Sequence, residues 1–238
     1  MTPPAGQARQ LPLALRYPPD QRFDTFVAAP AGALAQLQAL AAGEGSTLYL
    51  SGPAGAGKSH LALATCAQAE AGGRRAAYLP LRAAAGRLRA ALEALDASVV
   101  ALDGLEAIAG GREDEVALFD FHNRARDSRI GLLYTAAAAP DALGLVLPDL
   151  RSRLAQCPRV PLAMLDDDGR RAVLLARARR RGLALEPAAL DWLLRRTGRD
   201  LAGLTKLLDR LDQASLAAQR RITVPFLKEV LGSDAAGA

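Results

Sequence analysis

The chain has 238 residues, half of them hydrophobic, and carries 30 Lys+Arg against 25 Asp+Glu for a formal net charge of +5. That apolar content excludes wholesale disorder, and a chain of this length buries roughly 70% of its unfolded surface, enough for one medium domain and a small one. Cys66 and Cys157 stand far apart, with no CxxC pair and only two histidines, which excludes a disulfide framework or a zinc site as an organising feature.

The charge is unevenly placed. Residues 1–150 hold 13 basic and 15 acidic side chains, net −2, whereas residues 151–238 hold 17 and 10, net +7. Only Lys58, Lys206 and Lys228 are lysines, so the other 27 basic residues are arginines; with alanine abundant throughout, the bias reads first as genomic composition. Residues 1–10 have no apolar signal core, and no apolar run reaches the ~18 residues that span a bilayer, so a soluble cytoplasmic protein without a membrane partner is expected.

In chain order, residues 1–22 are rich in Pro, Gly, Gln and Arg and read as a mobile tail, interrupted by an apolar cluster at Leu11, Leu13 and Leu15. Leu34, Leu37 and Leu40 recur at helical spacing before Gly43 and Gly45, and 47–51 then forms a short buried strand. Further apolar runs at 76–81, 98–103, 130–135 and 160–162 read as strands, alternating with helical patterns at 59–71, 83–95, 113–128 and 148–156. Strands separated by helices of this length predict right-handed crossovers and a mostly parallel sheet covered on both faces, an α/β nucleotide-binding architecture spanning 23–165.

After Leu165 the strands stop. Asp166, Asp167 and Asp168 suit the start of a helix over 166–182, and helices are predicted at 187–196, 200–217 and 224–231. A small C-terminal α-helical lid domain over 166–232 follows, with 233–238 as a frayed end and Trp192 in its core.

Gly52-Pro53-Ala54-Gly55-Ala56-Gly57-Lys58-Ser59 matches GxxxxGK[ST] directly between a strand and a helix, and His60 continues the segment. Backbone N–H groups of such a loop turn inward around phosphates, Lys58 reaches the β/γ-phosphates and the Ser59 hydroxyl ligates Mg²⁺. Asp103 ends the apolar strand VVALD, the arrangement that holds Mg²⁺ through its outer shell. Many P-loop ATPases place an acid directly after this Asp. Here that position is Gly104, and Glu106 two residues on reads either as a weaker substitute or, preferentially, as the start of the next segment. Four alanines, Ala136 to Ala139, follow Thr135 where a polar residue often meets the γ-phosphate, so slow intrinsic hydrolysis is expected.

The order of these parts resembles the AAA+ ATPases, and within them the DnaA replication initiator family and its shortened regulatory-inactivator relatives. The resemblance runs from Gln10 to Leu231 and includes RFDTFV, GPAGAGKSHL, YLPL, LDGLEAI, LFDFHNR, LPDLRSRL, ARARRRGLALEP and LDQASLAAQRRITVPFLKEVL. It implies a P-loop AAA+ parallel-sheet domain holding ADP or ATP with Mg²⁺. It implies that Arg153 is an arginine finger directed at a neighbouring subunit's nucleotide, and that Arg199 is a sensor touching the chain's own. Gln10, Leu11, Leu13 and Leu15 resemble the QLxL-type peptide by which replication proteins dock on the β-subunit sliding clamp of DNA polymerase III.

The implied function is regulatory: a nucleotide-bound protein that docks on the DNA-loaded clamp and stimulates ATP hydrolysis by the DnaA initiator, preventing re-initiation. The alternative is an active AAA+ ATPase serving as a helicase loader or DNA-remodelling motor. The chain ends soon after the last lid helix, so no recognition helix for sequence-specific DNA is expected, and a homo-oligomer stays open.

Overall fold

The computed structural model describes residues 21–27, 29–45, 47–196, 211 and 222–232. Five parallel strands, β1 (Thr47–Ser51), β2 (Ala76–Pro80), β3 (Val99–Asp103), β4 (Gly131–Ala136) and β5 (Arg159–Pro161), form one sheet in the order β2-β3-β4-β1-β5. The register aligns the strand ends that matter: Ser51 lies opposite Ala136 and Asp103 opposite Thr135. Because β4 stands between β1 and β3, the loop after β1 and the acid at the tip of β3 flank one strand end.

Neighbouring residues of a strand face opposite sides of a sheet, and both sides here are apolar. Tyr49, Val100, Leu102, Leu132 and Tyr134 pack with Leu92, Leu118, Phe121 and Leu150 on one face. Leu48, Leu50, Ala101 and Leu133 pack with Leu37, Leu61 and Cys66 on the other. The second face is covered by α1 (Ala33–Ala42) and α2 (Lys58–Ala71); the first by α3 (Leu81–Ala84), α4 (Leu88–Glu93), α5 (Arg112–Asp127) and α6 (Pro148–Ala155).

The single helix expected at 83–95 is two short ones. Leu81, Leu88 and Leu92 keep helical spacing and all are buried, but Gly86 between them takes φ +78° and breaks the turn. Asp114, in the first turn of α5, fills the break: its carboxylate accepts the N–H of Gly86 at 2.7 Å and of Leu88 at 3.2 Å. The strand expected at 76–81 ends at Pro80, since Leu81 opens α3.

Beyond the sheet, α7 (Asp167–Arg180), α8 (Pro187–Arg196) and α9 (Val224–Gly232) belong to a separate apolar cluster of Leu174, Leu190, Leu193, Leu211, Ile222 and Phe226, against which Trp192 packs half-buried. The Asp cluster acts as expected: Asp166 is the N-cap of α7, its carboxylate accepting the N–H of Gly169 at 2.7 Å. Part of the lid's arginine excess is spent internally. Arg170 is buried and donates to the Leu194 carbonyl at 3.1 Å, and Arg171 pairs with Asp191. The tail 1–20 with Gln10, Leu11, Leu13 and Leu15, together with Arg199, nearly all of the helix expected at 200–217, and residues 233–238, lies outside the described residues. No described helix is long and apolar enough to cross a membrane.

Candidate nucleotide site and finger helix

The loop after β1 carries residues 52–57 into α2, so Lys58 and Ser59 stand at a helix N-terminus where backbone N–H groups and the helix dipole favour an anion. The Lys58 ammonium donates to the carbonyls of Gly52 at 2.6 Å and Pro53 at 2.9 Å. Burial pulls it below its ordinary range, while the carboxylates of Glu106 and Asp103 oppose that pull.

Asp103 is the hub of the floor. Its Oδ2 accepts the Ser59 hydroxyl at 2.7 Å and the Tyr78 hydroxyl at 2.6 Å, and its Oδ1 accepts the Thr135 hydroxyl. Thr135 in turn accepts the N–H of Gly104 at 2.9 Å. Burial, and then the hydrogen bond to Asp103, hold the Tyr78 phenol well above its ordinary range, so it remains a donor. Ser59 and Asp103 thus offer a hydroxyl and a carboxylate side by side, oxygen donors that suit Mg²⁺, a cation that keeps several waters and takes few protein ligands.

A cleft of about 930 Å³ opens over this floor. One wall is the segment before α1. The Phe26 ring meets the His60 ring edge-on at 5.3 Å between centroids, and the His60 Nε2 lies 3.1 Å from the Thr25 hydroxyl and 2.9 Å from the Arg22 carbonyl. A Cβ on Gly57 would stand 2.5 Å from Phe26, so ring and loop are in direct contact. The far wall is the start of the lid, with Met164, Asp166, Val173 and Arg177.

Of the residues expected from the sequence, Ala54, Gly55, Ala56, Gly57, Lys58, Ser59, His60 and Asp103 line this cleft, with Gly52 and Pro53 bound to Lys58 at its floor. Among the residues missed are Phe26, Arg82 and Arg177 of the lining, and Tyr78, which reaches Asp103 from the neighbouring strand. Tyr78 was hidden inside an apolar strand run. Phe26 and Arg177 lie in the segments RFDTFV and ARARRRGLALEP, to whose individual residues no role was assigned, and Arg82 lies in an arginine-rich background.

Arg153 is not brought there. It sits in the last turn of α6, on the sheet face opposite α2, where its charge reaches His122. Leu150 and Leu154 anchor that helix in the core. The helix start is held by Glu115, wholly buried in α5, whose carboxylate accepts the N–H groups of Gly110, Val146 and Leu147 at 2.8, 3.1 and 2.7 Å.

A five-stranded parallel sheet in this order, a phosphate loop after its β1, an acid at the tip of β3 and a helical domain behind it define a P-loop protein of the AAA+ class. Residues 167–231 match the family model described as the Hda lid domain. Its lid segment is thus similar to the Hda lid domain, and the chain as a whole has the fold of the DnaA-type AAA+ proteins.

Its fold is similar to that of domain III of the Thermotoga maritima replication initiation protein DnaA, at 17% identity and TM-score 0.75, over 91% of this chain and 98% of that one. The AMPPCP-bound DnaA of Aquifex aeolicus aligns at 20% identity and TM-score 0.65, over 82% of this chain and 66% of that one. The Thermotoga maritima Holliday junction branch migration motor RuvB aligns at 18% and 0.65, over 90% and 72%.

Proposed function

We propose that this chain binds an adenine nucleotide, ADP or ATP, with Mg²⁺ in the cleft, docks on the β-subunit sliding clamp through Gln10, Leu11, Leu13 and Leu15, and uses Arg153 to trigger ATP hydrolysis in the DnaA initiator. The observation that carries the reading is the position of Arg153. It lies on a helix anchored away from the chain's own cleft, in a protein whose own lid is of the Hda type.

A guanidinium that does not face its own nucleotide is available to another chain's. Delivered there, it neutralises charge developing on the γ-phosphate oxygens and is worth about 10³- to 10⁵-fold in rate. Arg199 would contact the chain's own nucleotide from the lid. Lys58 and backbone N–H groups of the loop at the start of α2 would hold the phosphates, and Ser59 with Asp103 would hold the metal, which supplies charge neutralisation at the phosphates when bound. The role needs no sequence-specific DNA contact and no membrane.

The test mixes the purified chain with ATP-loaded initiator, with and without clamp on DNA, and follows phosphate release. Arg153→Ala should abolish the stimulation while nucleotide and clamp binding persist. Stimulation that survives the substitution removes the mechanism.

A further inference from the structure

Three arginines stand along α3, α4 and the turn between them, and two are occupied. Arg87 donates to the Ala83 carbonyl at 3.2 Å, and Arg89 pairs with Asp120 at 3.0 Å. Arg82, in α3, is exposed, lines the cleft, and makes no hydrogen bond or ion pair with any described residue.

The fold sets it there. β2 pairs with β3 so that Pro80, its last residue, lies opposite Asp103. Leu81, the next residue, is wholly buried and with Ala84 pins α3 to the core. Arg82 follows that anchor directly, so the guanidinium starts from the cleft wall beside the tip of β3.

A permanent cation in a cleft with no acid to pair it is a place for an anion, and its five donors form a fork that matches phosphate oxygens. The acids of the lining are engaged elsewhere. Asp103 takes three hydroxyls, Glu106 accepts the Ala137 N–H at 3.0 Å, and Asp166 caps α7.

Which phosphate Arg82 meets follows from Asp103. In P-loop sites the β- and γ-phosphates share the metal. With Ser59 and Asp103 as the metal's ligands, the third phosphate lies on the side of the cleft where β3 ends, and a diphosphate leaves that place empty. On the other flank of β3, β4 runs into Ala136 to Ala139, where only backbone is offered. A side-chain donor for the third phosphate on this side of the cleft has to come from the β2 flank.

We propose that Arg82 binds the third phosphate of a nucleoside triphosphate in this chain's own cleft and so sets the cleft's preference between triphosphate and diphosphate. The inference rests on the nucleotide reading of the cleft and is independent of any action on a partner.

The experiment uses the full chain with Mg²⁺, with no initiator or clamp present, and reads the Kd for ADP and for an ATP analogue whose β–γ bridge is a methylene and is not cleaved. Arg82→Ala should raise the Kd of the analogue on the order of 10-fold, the loss of one charge-assisted contact, and leave that of ADP unchanged. Arg82→Lys, which keeps the charge and loses the fork, should fall between. Arg89→Ala, in the neighbouring helix, should change neither value. Because Arg82 is exposed, its substitution removes no core contact, and an unchanged ADP affinity shows that the cleft is intact.

Equal losses of affinity for ADP and the analogue, or no change in either, would overturn the inference and leave the nucleotide reading standing. Failure of the wild-type chain to bind either nucleotide would remove both.

Discussion

Glu115 and Leu147 are joined by a 2.7 Å hydrogen bond from the Leu147 N–H to Oε2, and through it the first turn of α5 fixes where α6 begins. Two further N–H groups, from Gly110 and Val146, converge on Oε1. A wholly buried carboxylate satisfied by three amides is a rigid joint, and the helix it holds carries Arg153 at its other end.

Removing that joint should therefore act at a distance. Glu115→Ala leaves three N–H groups without their acceptor and should cost about 3 kcal/mol of stability, measurable by urea unfolding. A misplaced α6 should also reduce initiator stimulation on the order of 100-fold, since small displacements of a positioned group are costly. Glu115→Gln keeps one acceptor oxygen and should lose less on both measures, with nucleotide affinity unchanged.

Tyr78 is a separate lever on the floor of the cleft. Its hydroxyl and that of Ser59 converge on the same oxygen of Asp103, so the carboxylate is held toward α2. Tyr78→Phe should weaken Mg²⁺-dependent nucleotide binding about five-fold, roughly 1 kcal/mol, because one donor to a charged acceptor is lost. A magnesium titration of fluorescent-nucleotide binding reads this; equal curves for the two proteins would contradict it.

The phosphate loop has almost no room at its first residue. A Cβ on Gly52 would stand 2.4 Å from the Leu162 carbonyl oxygen, and both backbones are pinned, Gly52 N–H to Ala136 at 3.1 Å and Leu162 N–H to Ser51 at 2.6 Å. Gly52→Ala should cost about 1 to 3 kcal/mol as an overpacked site and lower the melting temperature by several degrees. Nucleotide affinity should fall with it.

Acid should weaken the fold through His122. Burial, and then the charges of Arg153 and Arg126, hold its ring below the ordinary value of 6.5, and its Nδ1 lies 3.0 Å from the Tyr134 hydroxyl. The unfolded chain therefore binds this proton more readily than the folded one, so stability rises with pH wherever the two differ. Above 6.5 the residue carries no penalty; below it, stability is lost until the depressed folded value is passed. Urea midpoints should drop as the pH falls below about 6.5, and His122→Gln should remove part of that drop.

Most of the strands and helices of the sheet region were legible because each is a local pattern. Apolar runs of strand length alternate with helical spacing, and the phosphate loop is contiguous, so Gly52 to Ser59 and Asp103 could be found from the residues alone. The break at Gly86 was not, because Leu81, Leu88 and Leu92 keep helical spacing across it; the acid that stabilises the break, Asp114, comes from another helix. Glu106 was visible but read as the start of the next segment, since nothing local shows that Gly104 turns the chain back upon itself.

The sequence by itself determined that this is a P-loop α/β protein with a helical, arginine-rich lid, because those features depend on neighbours within a few residues or on composition. Only the tertiary structure decided which strands lie side by side, that Tyr78 and Thr135 both serve Asp103, and that Glu106 lines the cleft while Arg153 does not. These are contacts between groups far apart in the chain, set by β4 lying between β1 and β3 and by buried acids that tie loops to helices. The net charge of +5 changes meaning accordingly. Some of the excess in the lid is paired within it, Arg170 with Asp167 and Arg171 with Asp191, and some lines the cleft, at Arg177.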